Sequence, residues 1–126
     1  MTTALWPEFK VEEKPTGVVR VLEGAGEELG RKTGGRVVFR VLQQLAGGTP
    51  SWPFRYECDL WVPKLQYRYF LCDVFASAEG FPVRVTSGEI DRPDIADEAA
   101  LQAALAEVFH ADQVRKIVQN LLSMTV

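Results

Sequence analysis

The chain has 126 residues, of which 47% are hydrophobic and 25% are charged, and its formal net charge is −3. This size and composition predict a single globular domain over residues 1–126 and disfavour a disordered chain. The acidic balance argues against a general nucleic-acid binder, because such proteins neutralise phosphates with a basic field.

Residues 1–15 are predicted to form an extended N-terminal arm. They contain two prolines and alternating acids and bases, with Leu5, Trp6, Phe9 and Val11 as apolar anchors. A secretory signal requires a basic end followed by an apolar run, and this segment has acids and prolines instead. No apolar run in the chain approaches the roughly 18 residues of a membrane span. We therefore expect a cytoplasmic protein that does not cross a membrane.

From Thr16 onward the spacing of apolar residues predicts an N-terminal helix. Gly34 and Gly35 are expected to end this helix, because glycine adopts the left-handed conformation without steric cost. The G-A-G segment at 24–26 suggests a phosphate-binding loop, but Leu29 stands where the dinucleotide fingerprint requires glycine. The helix interpretation is preferred, with an apolar face formed by four residues at steps of four, three and four: Val18, Leu22, Ala25 and Leu29.

Four β-rich segments follow, at about residues 36–42, 54–61, 66–75 and 81–86. Apolar and polar residues alternate in the first two, as half-buried antiparallel strands require. The short connections between successive strands favour a four-stranded antiparallel meander.

The register of the second and third strands depends on where the turn between them lies. A turn centred on Pro63-Lys64 would place Asp59 opposite Arg68 and Leu60 opposite Tyr67, so that opposite charges meet on one side. A slip of one residue would instead place Phe70, Cys72 and Val74 on the core face. We prefer the first register, although the third strand is apolar on both sides.

The C-terminal part predicts two amphipathic helices after an acidic loop, with Asp94 or Asp97 as the N-terminal cap. The chain breaks near His110, between two apolar stripes: Leu101, Leu105, Val108 and Phe109, and then Val114, Ile117, Val118, Leu121 and Leu122. The predicted fold class is therefore α+β, with an N-terminal helix, a four-stranded antiparallel meander and two C-terminal helices packed on one face of the sheet.

Patterns of catalytic and metal-binding chemistry are weak in this sequence. Cys58 and Cys72 are predicted to be buried core residues, because a nucleophilic cysteine needs a nearby base and His110 is distant in sequence. The acids Glu89, Asp91, Asp94, Asp97 and Glu98 lack the spacing of a calcium loop. We therefore assign no catalytic residue, no metal site and no cofactor, and we favour a non-enzymatic role.

The second face of the predicted sheet is the candidate binding site. Arginine and tryptophan together are enriched where proteins dock, whereas a solvated face explains the charges but not Trp61, Val38, Leu42 and Phe70. The six candidate binding residues are Arg40, Arg55, Glu57, Asp59, Trp61 and Arg68. Arg36 and Gln66 are expected on the same face.

Two functions remain open at this point. The preferred one is a protein-binding module, of the accessory, inhibitor or immunity type, whose partner is another protein or a second copy of the chain and not nucleic acid or a membrane. The alternative is a small-molecule-binding protein or enzyme with a pocket between sheet and helices, lined by Tyr67, Tyr69, Cys58 or Asp73, because tyrosine hydroxyls orient ligands in apolar clefts.

Overall fold

The computed structural model describes residues 4–47, 51–88 and 90–126. Within them the chain forms, in order, α1 (Gly17–Thr33), β1 (Val38–Leu45), β2 (Phe54–Val62), β3 (Tyr67–Ser77), β4 (Gly80–Ser87), β5 (Ile90–Ile95), α2 (Glu98–Phe109) and α3 (Asp112–Met124). Parts of the predicted arm (1–3), of the loop after the first strand (48–50) and of the acidic loop (Glu89) lie outside the described residues.

The strands form one antiparallel sheet in the order β1-β2-β3-β4-β5, so each strand pairs with its neighbour in sequence. The predicted α+β class and antiparallel sheet are confirmed, but the predicted number of four strands is wrong. The fifth strand, β5, occupies a segment that the sequence predicts to be a loop. That prediction follows from Pro93 and its charged neighbours, which disfavour a central strand. An edge strand tolerates proline and charge, since its outer amides need no partner within the sheet.

The three helices pack on the same face of the sheet and close one hydrophobic core. Side chains of α1 (Val21, Leu22), α2 (Leu101, Leu105) and α3 (Leu121) are buried together with the strand residues of that face. Phe39 of β1 contacts Phe109 of α2 edge to face, with ring centroids 5.6 Å apart. We call this the helix side of the sheet, and the opposite side the open face.

The predicted helix ends agree with the structure. Gly34 lies at φ 60° and its N–H donates to the Gly30 carbonyl, so α1 ends at the predicted glycine pair. Asp97 is the cap of α2, because its carboxylate accepts from the Ala100 N–H at 2.8 Å. His110 separates α2 from α3, as expected. None of the described helices has the length and apolarity needed to cross a membrane.

The predicted register of the β2–β3 hairpin is wrong by two residues near the turn. Trp61 lies opposite Arg68, and Asp59 lies opposite Phe70. The cause is the length of the turn: residues 63–66 form it, with Gln66 at φ 52°. The Leu65 N–H bonds the Val62 carbonyl at 3.2 Å. A two-residue turn at Pro63-Lys64 is therefore too short.

A β-bulge then shifts the register further along the same pair of strands. Cys58 lies opposite Cys72 while Asp59 lies opposite Phe70, so Leu71 is an extra residue on β3. Leu71 and Cys72 are consecutive, yet both are buried. The bulge explains why neither predicted register describes the whole hairpin. Before the bulge, Tyr69 lies on the helix side, as the preferred register predicts. After the bulge, Cys72 lies on the helix side, as the register slipped by one residue predicts.

Candidate functional site

The open face carries all six predicted binding residues. The strand registers place them side by side, since Arg40 lies opposite Asp59 and Trp61 lies between Val38 and Arg68. Two further residues predicted on this face, Arg36 and Gln66, do not lie on its strands. Arg36 precedes β1, and Gln66 lies in the turn, where its side-chain amide donates to the Pro63 carbonyl at 2.8 Å. The face includes Val38, Arg40, Leu42, Gln44, Arg55, Glu57, Asp59, Trp61, Arg68, Phe70, Asp73, Phe75, Arg84, Thr86 and Asp91.

Asp59 is the centre of an ion-pair network on this face. Its carboxylate accepts from Arg40 Nε at 3.4 Å through one oxygen and from Arg68 Nε through the other. Arg68 also donates to Glu57 Oε1 at 2.8 Å. Two hydrogen-bonded guanidinium groups compensate the buried negative charge, which would otherwise be costly. The same bonds raise the pKa of Arg68, with Asp59 as the main cause.

Arg55 extends the network to the middle of β3. It binds Asp73 through two parallel hydrogen bonds of 2.8 and 3.1 Å, and its Nη2 lies 3.8 Å from Glu57 Oε1. These hydrogen bonds, which Asp73 accepts, raise the pKa of Arg55. A second bidentate pair joins Arg84 to Asp91 across β4 and β5, and this bond lowers the pKa of Asp91. The charges of the face are therefore paired and sum to zero.

Apolar side chains lie between these ion pairs. The Arg40 guanidinium stands 4.3 Å from the centroid of the Trp61 ring, an attractive cation–π arrangement. Phe70 is 43% exposed and Leu42 is 57% exposed. The ion pairs hold the arginines in defined positions around these apolar groups. The face therefore offers oriented donors, acceptors and aromatic surface to a molecule that approaches it.

The two cysteines lie on the opposite side of the sheet and do not belong to this face. Cys58 and Cys72 are cross-strand partners, and both are fully buried. The Cys58 thiol donates to the Tyr56 carbonyl with a separation of 3.6 Å. The neighbouring Cys72 thiol and burial raise the pKa of Cys58. A thiol held in its neutral form is a poor nucleophile.

Asp73 and Phe75 were not predicted as members of the open face. They join it because the bulge at Leu71 reverses the alternation of β3, so that residues of odd number point to the open side after it. In the sequence, only the alternation of Val74 and Ala76 with Asp73 and Phe75 indicates that the latter two lie on the open face, and this alternation begins beyond Cys72.

The helix side contains a groove that relates to the alternative function. It lies between α1 on one side and α2 and α3 on the other, has a volume of about 1500 Å³, and includes Leu60, Leu71 and Phe109 in its lining. The four residues expected to line such a pocket do not line it. Cys58 is buried, Asp73 lies on the open face, and Tyr67 and Tyr69 lie at the turn end of β3.

Comparisons with known proteins give the chain no relative. It matches no protein-family model, no curated protein and no solved structure. Among residues 4–47, 51–88 and 90–126, no three histidine, cysteine or acidic side chains group in a way that could hold a metal ion. His110 Nδ1 lies 2.8 Å from the Ala106 carbonyl oxygen at the end of α2.

Proposed function

We propose that the protein is a non-enzymatic binding module that docks another protein on the open face of its sheet, in the cytoplasm. The observation that carries the proposal is the placement of Trp61 and Phe70 within a network of fixed arginines, on the face opposite all three helices. Tryptophan and arginine are the residues that most often dominate binding energy at protein interfaces.

The charge of the face favours a protein partner of a particular kind. Three arginines of the network meet three acids (Glu57, Asp59 and Asp73), so the face presents no net charge to a polyanion. Its attraction must come from aromatic and aliphatic contact, with the ion pairs defining orientation. The expected partner is a folded protein with a flat surface, apolar at its centre and carrying both signs of charge at its rim.

The size of the face is compatible with such an interface. Strands of about eight residues at 3.4 Å each, five abreast at about 4.8 Å, give a surface of roughly 27 by 20 Å, or about 500–600 Å². Specific complexes bury about 800 Å² on each partner. A partner that covers the face and part of its rim reaches that value.

Site-specific photo-cross-linking tests the proposal. A photoreactive residue replaces Phe70 on the open face or, as the control, Gln113, which is exposed on α3 and does not line the groove, and the cells of origin are irradiated. We expect a discrete product with one other protein from position 70, several-fold weaker when Trp61→Ala is added, and none from position 113. Equal products from both positions contradict the proposal. A product of twice the chain mass would show that the face binds a second copy instead.

The groove between α1 and the C-terminal helices supports one alternative, a small-molecule-binding protein. Its volume of about 1500 Å³ exceeds that of most drug-sized ligand sites, and apolar residues such as Leu60 and Leu71 contribute to its lining. Thermal-shift screening against metabolites and nucleotides tests this function. Ala106 lines the groove and is only partly buried, so Ala106→Trp would fill the groove. Stabilisation that is lost in Ala106→Trp supports the alternative; absence of any shift in a folded protein contradicts it.

A further inference from the structure

The two edges of the sheet differ in their protection against further strand pairing. β5, at one edge, contains Pro93 among the charged residues Asp91, Arg92 and Asp94, and its register with β4 is irregular. β1, at the other edge, runs for eight regularly paired residues with no proline and with Arg40 as its single charge. Proline, charge and irregularity are the usual means of blocking an edge, and β1 uses little of them.

The second half of β1 is also poorly covered above and below the sheet. α1 covers Phe39, because the Cβ position of Gly26 lies 3.7 Å from the Phe39 carbonyl oxygen. Beyond it, Val41 and Gln43 line an open cleft of about 450 Å³ between α1 and the strands. Leu45, also on the helix side, is 79% exposed. An uncharged half-strand with three exposed aliphatic side chains, Val41, Leu42 and Leu45, therefore lies at an unprotected edge.

We propose that β1 pairs antiparallel with β1 of a second copy, about a two-fold axis through Leu42, to form one continuous sheet. An axis perpendicular to the sheet keeps the open faces of both copies on the same side and requires one residue to lie opposite itself. With Leu42 in that position, Arg40 lies opposite Gln44 of the second copy and Val41 lies opposite Gln43 of the second copy.

This register avoids like charges and places a covered half-strand beside an uncovered one. An axis through Arg40 would place two arginines opposite each other, which is destabilising, whereas the axis through Leu42 brings no like charges together. It also places Leu45 of one copy beside Phe39 of the other. The half of β1 that α1 covers then lies next to the uncovered half of β1 in the second copy. Each α1 therefore approaches the cleft that Val41 and Gln43 line in the other copy.

The buried area predicts weak but specific self-association. A strand edge of about 27 Å with a sheet-and-helix thickness of about 20 Å gives roughly 540 Å² per copy, near 1,100 Å² in total. That total lies at the lower end of specific interfaces. A monomer–dimer equilibrium is therefore expected. The open faces of both copies would remain free, so this inference is independent of what binds them.

Cross-linking at the axis tests the register. Leu42→Cys, treated with a short bis-maleimide, should give a covalent dimer, because the two introduced thiols face each other. Phe70→Cys, a matched exposed position away from the edge, should give none. The native thiols are buried and do not contribute. A dimer from position 70 and none from position 42 would overturn the proposal in favour of face-to-face association.

Sedimentation velocity over a range of concentrations tests the association itself. We expect the parent chain and Phe70→Lys to dimerise equally, and Leu45→Lys, with unchanged circular dichroism, to weaken dimerisation at least tenfold. A parent chain that stays monomeric at every concentration, or a dimer that Phe70→Lys disrupts and Leu45→Lys does not, contradicts the edge pairing. Neither result bears on a different protein bound at the open face, which the cross-link from position 70 reports separately.

Discussion

Asp59 shows how a sheet face can keep a nearly buried charge. The residue is 7% exposed, and guanidinium groups from the strands on both sides, Arg40 and Arg68, bind its carboxylate. Both arginines remain about half exposed. The network therefore combines one desolvated acid with bases that keep contact with water, which reduces the desolvation cost of a fully buried pair.

Removal of this carboxylate should destabilise the protein more than removal of an exposed one. Asp59→Ala is expected to lower the free energy of unfolding by about 1–3 kcal/mol, since it deletes hydrogen bonds to two charged groups. Asp91→Ala is the matched control, because Asp91 also binds an arginine but is exposed to solvent, so the free energy of unfolding of this variant should hardly change. Denaturant unfolding measures this free energy for both variants. Equal decreases in the two variants would show that Asp59 is no more important to stability than an exposed acid.

The thiols of Cys58 and Cys72 should be inert in the folded protein. Burial and the raised pKa of Cys58 keep the reactive thiolate scarce at neutral pH. Ellman's reagent should therefore detect no thiol in the native protein and both thiols after denaturation in guanidinium. Rapid reaction of one thiol under native conditions would show that the β2–β3 core opens or is packed differently.

Among the secondary-structure elements, α1 and the residue that ends it provide two glycines at which substitution by alanine should have opposite effects on stability. Gly24 lies inside the helix with open space around its Cβ position, whereas Gly34 lies at φ 60° just beyond the helix end. Alanine is a better helix former than glycine, but it is strained in the left-handed conformation. The same substitution should therefore act in opposite directions at the two positions.

Thermal unfolding of the two alanine variants measures this difference. Gly24→Ala should stabilise the protein by about 0.5–1 kcal/mol, and Gly34→Ala should destabilise it by about 1 kcal/mol or more. For a chain of this length, each kcal/mol corresponds to roughly 3–5 °C in melting temperature. Two variants that shift the melting temperature in the same direction would contradict the position of the helix end.

For the molecule as a whole, the sequence predicts the structure of those segments in which apolar and polar residues alternate with a single clear period. Alternation over residues 54–61 is regular, so Arg55, Glu57, Asp59 and Trp61 were placed on one side correctly. Residues 70–75 are mainly apolar on both sides, so the only trace of the bulge at Leu71 is the alternation that begins beyond Cys72. Residues 90–95 resemble a loop because an edge strand tolerates proline and charge.

Features that depend on packing between elements could not be predicted in this way. The groove between α1 and the C-terminal helices, and the uncovered half of β1, arise from where α1 crosses the sheet. At that crossing the Cβ position of Gly26 lies 3.7 Å from the Phe39 carbonyl oxygen, and the two residues are 13 positions apart in the chain with no local signal of their proximity. The open face itself was predictable, because it needs only the alternation of each strand.

Docking on the open face is measured most directly by the affinity of open-face variants for the protein that position 70 cross-links. In isothermal titration calorimetry, Trp61→Ala and Phe70→Ala should each weaken binding at least tenfold, because aromatic residues at the centre of an interface carry most of its energy. The control variants Gln113→Ala and Lys116→Ala, which are exposed on α3 and do not line the groove, should bind like the parent chain. Unchanged affinity in both open-face variants would show that the partner does not dock on the open face, and a loss in the helix variants would place the contact on the helix side.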